Sequence, residues 1–208
     1  IVLAESLSKN YLPAEHETVL YERWERGGYF TPKENKKNLK FVIPMPPPNV
    51  TGVLHLGHAE TIAIEDLMVR YHRMRGEETL WIPGTDHAAI STQLVVEDQL
   101  KKKGLHKDTL GREKFLEKCW EWKEECHRTI TKQIRLMGAS CDWNRERFTM
   151  DTGLNRAVVR VFEDLYEKGK IYKGNYIVNW CPRCQTAISD TETNHREQTT
   201  NLYYVRYF

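Results

Sequence analysis

The stretch "PMPPPNVTGVLHLGHAE", Pro44 to Glu60, decides how this chain reads. It holds four of the eight prolines and two of the eight histidines, His55 and His58. It continues a short apolar run, "LKFVIPM" (Leu39 to Met45), which predicts a buried parallel strand ending in proline. Prolines fix φ and lack an N–H, so they stiffen the chain as it leaves the strand's carboxyl end. In a doubly wound α/β fold, ligands bind at that end. Thr51 and Gly52 predict a turn, and a helix starts near His55. A helix start offers unpaired N–H groups and the positive end of its dipole, which favour an anion. His55 and His58 stand at i and i+3 on that first turn. Gly57, between them, removes a side chain and lets a flat ring approach the backbone. Three readings fit the spacing. The imidazoles donate to phosphate oxygens, or they are capping or surface residues, or they form a metal pair, for which no third ligand stands nearby. The loop is neither a Walker A loop nor a GxGxxG turn.

Outward from this loop the pattern alternates. Leu56 to Arg75 predicts a helix with Leu56, Ala59, Ala63, Leu67, Tyr71 and Met74 along one face, ended by Gly76. "ETLWIPG" (Glu78 to Gly84) predicts a second short strand, and residues 89–103 a second helix. Strand, helix, strand, helix is the signature of a right-handed parallel α/β unit. On the N-terminal side, "YLPAEHETVLYERWERGGYF" predicts a helix opened near Pro13, stopped by Gly27-Gly28 and packed on the core. On the C-terminal side a long Glu- and Lys-rich helix is expected over 112–137. Trp120, Ile130, Ile134 and Met137 supply its apolar side. "SCDWNRERFTMD" (Ser140 to Asp151) predicts a loop, and 153–168 another amphipathic helix stopped by Gly169. The tail is aromatic and strand-like and carries a CxxC. Three segments follow: 1–38, an N-terminal helical segment; 39–178, an α/β unit; and 179–208, a CxxC-containing tail.

The bulk numbers restrict the function classes. With 29% charged and 40% hydrophobic residues over 208 positions, the chain has an ordinary globular composition. Its formal net charge is +2, so a polyanion partner would be met by a local patch rather than a global field. No apolar run approaches ~18 residues, which predicts no transmembrane helix, and no secretory h-region is seen. Five cysteines, an odd number, predict a reducing compartment, and a cytoplasmic or organellar-matrix protein fits best, with the cytoplasm preferred. The first residue is Ile1, so the native start is expected to lie upstream.

The residues also carry a resemblance. "HLGH" (His55 to His58) resembles the first signature of the class I aminoacyl-tRNA synthetases. "PPPNVTGVLHLGHA", with "GTDHA" (Gly84 to Ala88) and "TQLVVE" (Thr92 to Glu97), is similar to the valyl branch of that family, over essentially the whole chain from Tyr11. The resemblance implies the N-terminal half of a Rossmann-like nucleotide-binding fold with a helical insert. It implies activation of valine by ATP with Mg²⁺ to valyl-adenylate, then transfer to tRNA(Val), by an enzyme monomeric at full length. On this resemblance His55 and His58 act on the triphosphate, Gly57 faces the adenine and Thr51 joins the ATP site. Pro46, Pro47 and Asn49 form one wall of a small aliphatic pocket. Asp86 anchors the ammonium of the amino acid, although alone it reads equally as a helix N-cap. A rigid pocket discriminates weakly against isosteres, threonine by only about a hundredfold, which is why such enzymes carry an editing domain.

Departures and omissions are also expected to matter. "GTDHAAIST" has Ala89 and Ser91 where the family pattern is GTDHAGIAT, and an extra methyl at Ala89 is expected to narrow the pocket. The second class I signature, a lysine loop of the pattern KMSKS, does not occur. The chain ends in "LYYVRYF", which resembles the entrance to the editing insertion, so the sequence reads as the N-terminal part of such an enzyme. Cys181 and Cys184 supply half of a tetrahedral zinc set. His195 is a possible third ligand, and a thioredoxin-like redox pair is the less favoured reading. Two other functions stay open. One is a non-catalytic paralogue that only binds nucleotide or tRNA, and the other is a synthetase for isoleucine or leucine.

Overall fold

Proline at the first turn and a glycine pair at the end bound the first helix, α1, at Pro13–Arg26. The computed structural model describes residues 10–33 and 39–208, so the parts of the expected N-terminal segment at 1–9 and 34–38 lie outside the described residues. One side chain of α1, Tyr21, is buried. Its hydroxyl donates to the Ala139 carbonyl at 2.7 Å and accepts from Trp143 Nε1 at 2.7 Å. Burial pushes that hydroxyl well above the ordinary tyrosine range. Glu25 pairs with Arg135 at 3.3 Å. The helix is therefore tied to the end of the long helical stretch and the loop after it, residues 135–143.

Strand β1, Lys40–Pro44, precedes helix α2, Leu56–Met74, and strand β2, Glu78–Ile82. β1 and β2 pair in parallel, from Lys40 opposite Glu78 to Pro44 opposite Ile82. A two-residue strand β3, Gly84–Thr85, continues past Pro83, and helix α3, Ala89–Lys102, follows. A short helix α4, Lys107–Leu110, leads into the long helix α5, Arg112–Leu136. Strand β4, Arg147–Phe148, then pairs in parallel with β3. The segment expected to be a plain loop thus contains a strand, one too short for any periodicity to reveal. Gly84 permits that pairing, because a Cβ there would sit 2.8 Å from the Arg147 carbonyl oxygen. Beyond the prolines, Asp86 N–H donates to Pro48 O and Val50 N–H to Asp86 O, closing a parallel bridge between Asn49 and Asp86. The path 78–86 is thus flanked by 40–50 on one side and 142–149 on the other.

The core beneath this layer gathers Met45, Val50, Ile62, Val69, Trp81, Cys126, Ile130, Ile134, Ala139 and Cys141. Ile130 and Ile134 of α5 are fully buried, each worth roughly 1.5–3 kcal/mol of apolar transfer. Trp120 and Met137, expected on the same apolar side, are 46% and 40% exposed. Two further expectations are corrected. β1 alternates exposed and half-buried positions rather than being buried throughout. The apolar face expected for α2 is the outer one, with Leu56, Leu67, Tyr71 and Met74 exposed. Its inner side carries Ile62, Glu65 and Val69, and beside them Asp66, Arg70 and Arg73. These three hold residues 138–140: Asp66 accepts from the Ser140 N–H and hydroxyl, Arg70 donates to Gly138 O and Arg73 to Ser140 O. Hydrogen-bonded charges beside Ile62 and Val69 on the inner side blur the hydrophobic pattern.

Contacts divide the chain into residues 1–159 and 160–208, a division that falls within helix α6, Thr152–Glu167. The second unit contains an antiparallel hairpin of β5, Asn179–Cys181, and β6, Thr186–Ile188.

Candidate functional site

The loop that leaves β1 is fixed by α5 at its middle and near its end. Trp122 Nε1 donates to Val50 O at 3.0 Å, and Gln133 Oε1 accepts from Leu54 N–H at 2.9 Å. His55 is the N-cap of α2, with extended backbone. Its Nδ1 accepts from Gly57 N–H at 3.1 Å, and its own N–H donates to His58 Nδ1 at 3.3 Å. The pair forms a reciprocal capping box built from histidines. The capping reading and the ligand-donor reading are therefore compatible. Because each Nδ1 is an acceptor, each proton is assigned to Nε2, which is left free to donate outward. The rings stand 4.0 Å apart between centroids. Partial burial, and then the neighbouring His55, lower the His58 pKa from its ordinary value. No acidic side chain lies in the first turn of α2, so its positive end is not neutralised locally. A Cβ at Gly57 would lie 3.1 Å from His55 Cε1, so this glycine keeps the cap ring in place.

Asp86 lies where β3 ends, bridged to Asn49. Its Oδ2 accepts from Ala88 N–H at 3.1 Å, and its Oδ1 from the Thr149 hydroxyl at 2.9 Å. His87 Nδ1 stands 3.5 Å from Oδ1. An ionised carboxylate has about four lone-pair directions, so two remain for a ligand cation. Asp86 is a local cap and an open acceptor at once. On the facing loop, Pro46 and Pro47 are exposed, Pro48 is buried, and Thr51 is half-buried in the turn. Ala88 and Ala89 both have positive φ, 50° and 38°. A non-glycine residue in this left-handed region costs roughly 1–2 kcal/mol, so Ala89 carries backbone strain where the family pattern has glycine. It also lines a cavity of about 280 Å³ with Val50, His87, Thr92, Trp120 and Phe148.

Sequence reasoning missed Thr149, Trp122 and Gln133. Each lies at least 62 residues from the group it holds, and no local signal marks such a pairing.

Of the two cysteines of the tail, Cys181 ends β5 and Cys184 lies within the β5–β6 turn. Hydrogen bonds from the Cys184 N–H and thiol, ahead of Arg183, hold the Cys181 thiol below its ordinary pKa. Among the described residues no group of three or more His, Cys, Asp or Glu is placed to hold a metal ion. His195 therefore does not complete a set with Cys181 and Cys184, and these residues alone do not fit a tetrahedral zinc. No helix among the described residues is long and apolar enough to cross a membrane.

Comparison with known proteins agrees with this geometry. The valine–tRNA ligase of Treponema denticola is 56% identical over 98% of this chain. That of Thermotoga maritima is 55% identical over 97%. A chloroplastic/mitochondrial valine–tRNA ligase of Arabidopsis thaliana is 55% identical over 92%. The chain spans only 23%, 23% and 20% of those relatives. The LeuRS of Agrobacterium radiobacter K84, solved in a ternary complex with tRNA and LeuAMS, superposes with a TM-score of 0.71 at 22% identity, over 86% of this chain and 21% of that one. It shares the fold: the N-terminal half of a Rossmann-like class I catalytic domain. The model of the family described as tRNA synthetases class I (I, L, M and V) matches residues 19–207. That match takes in the parallel strands, the histidine-capped helix and the Asp86 turn together, and the chain belongs to this class I family.

Proposed function

We propose that the protein to which this chain belongs is a valine–tRNA ligase. It activates valine with magnesium-bound ATP to valyl-adenylate and passes the valyl group to tRNA(Val). One observation carries the reading: the reciprocal histidine cap turns two Nε2–H donors outward at an un-neutralised helix start. Attack of a carboxylate on the α-phosphate builds negative charge on phosphate oxygens. Fixed donors aimed at that charge stabilise the transition state without reorganising. His55 and His58 are the proposed catalytic donors, with Gly57 and Thr51 in the ATP site. Asp86 takes the ammonium, and Pro46, Pro47 and Asn49 wall the side-chain pocket. The identity to valine–tRNA ligases, 53–56% in the first three matched, supports valine over leucine. Residues 39–178 would form the first half of the catalytic domain, and 179–208 the knuckle and the entrance to an editing insertion. Zinc at Cys181 and Cys184 would require two donors from elsewhere in the whole protein. We place the enzyme in the cytoplasm as a monomer, the free thiols fitting a reducing compartment.

The test is ATP–pyrophosphate exchange by the full-length protein with each amino acid in turn. Valine should drive exchange far better than isoleucine or leucine. Asp86→Asn should abolish valine-driven exchange while calorimetry still finds ATP binding, because the amide keeps the size but not the charge. Equal loss of ATP binding would make Asp86 a structural cap and refute the assignment.

A further inference from the structure

We propose that Thr149 is a positioning residue that aims the Asp86 carboxylate at the amino acid's ammonium. This rests on the reading of Asp86 given above. Three neighbouring backbone paths end at one level: Val50 N–H on Asp86 O, Asp86 N–H on Pro48 O, and Thr149 N–H on Thr85 O at 3.2 Å. Thr149 thus reaches the site from the β4 side, as Asn49 does from the β1 side. Its hydroxyl has one proton and two lone pairs. The proton goes to Asp86 Oδ1 at 2.9 Å. The lone pairs take the His87 N–H at 2.9 Å and His87 Nδ1 at 2.6 Å. This assigns the His87 proton to Nδ1 and leaves the hydroxyl no freedom to turn. The carboxylate is then held on both oxygens, by Thr149 on one and by Ala88 N–H on the other. Without the hydroxyl, Oδ1 loses its donor, two His87 donors lose their acceptor, and the carboxylate is held through Oδ2 alone. A hydrogen bond to a charged group that orients a ligand is worth roughly one to two powers of ten in affinity.

The test compares Thr149→Val, of the same shape without the donor, with Thr149→Ser, which restores it, in the full-length enzyme. Two inhibitors separate the two ends of the amino acid. Valinol keeps the ammonium and lacks the carboxylate, and 2-hydroxy-3-methylbutanoate keeps the carboxylate and lacks the ammonium. Thr149→Val should weaken valinol, and raise the KM for valine, by about 10–100-fold. The hydroxy acid and the KM for ATP should move less than about twofold. Thr149→Ser should stay near the wild type. Equal weakening of both inhibitors, or none, overturns the proposal. If the valine variant melts far below the wild type, Thr149→Ala against Thr149→Ser makes the same comparison. Asp86→Asn runs alongside. If it leaves valinol binding unchanged, the ammonium reading of Asp86 has failed. If it weakens valinol while Thr149→Val does not, only the role of Thr149 has failed.

Discussion

At the scale of single residues, the two histidines cap the helix through Nδ1 and keep Nε2 for the donor role proposed above. The two roles can therefore be separated by mutation. Asparagine is a strong N-cap, and its shorter amide cannot reach the position that Nε2 occupies. His55→Asn in the full-length protein should leave its thermal unfolding midpoint near the wild type and slow pyrophosphate exchange by about 10²–10³, the loss typical of one oxyanion-type donor. Exchange at the wild-type rate would show that Nε2 takes no part. His55, His58 and Asp86 were legible in sequence because their meaning is local: a proline-stiffened exit, a helix start, a strand end. Thr149 was not legible, because its partners at Asp86 and His87 lie 63 and 62 residues away. Ala89 was legible only as a departure. Its φ of 38° adds backbone strain to the narrowing expected of its methyl.

At the scale of elements, α5 matters for what it grips as well as for its apolar stripe. Ile130 and Ile134 were readable from period alone, whereas nothing in the pattern marks Gln133 and Trp122 as anchors of the loop. Gln133→Ala would leave the half-buried Leu54 N–H without an acceptor, at a cost of about 1–3 kcal/mol. A urea titration of the chain should show that loss, and Gln133→Glu, which keeps the acceptor, should recover most of it. An unchanged midpoint for the alanine variant would mean water replaces the amide. α2 shows the limit of pattern reading most clearly. Its boundaries were legible, but its inner side was not, since Asp66, Arg70 and Arg73 are there satisfied by partners near residue 140.

At the scale of the whole molecule, the order strand–helix–strand–helix and the parallel pairing followed from the sequence. The β3–β4 pairing and the Asn49–Asp86 bridge, made by segments of one or two residues, did not. One edge of β1 pairs with β2, and no partner for its other edge occurs among the described residues. The isolated 208-residue chain should give feeble pyrophosphate exchange and no net valylation. It carries no lysine loop of the KMSKS pattern, and cationic contacts in phosphoryl-transfer sites are worth about 10³–10⁵ in rate. Supplying the remainder of the full-length protein in trans should raise exchange and protect the β1 edge from association together. Full exchange by the monodisperse chain alone would show that nothing further is needed. The tie between Tyr21 and Ala139 spans 118 positions. A ribosome adding roughly 5–20 residues per second needs about 6–24 s to make the acceptor after the donor. For that interval α1 has emerged with its anchor unsynthesised, and its aromatic side is available to any nascent-chain chaperone that meets it first.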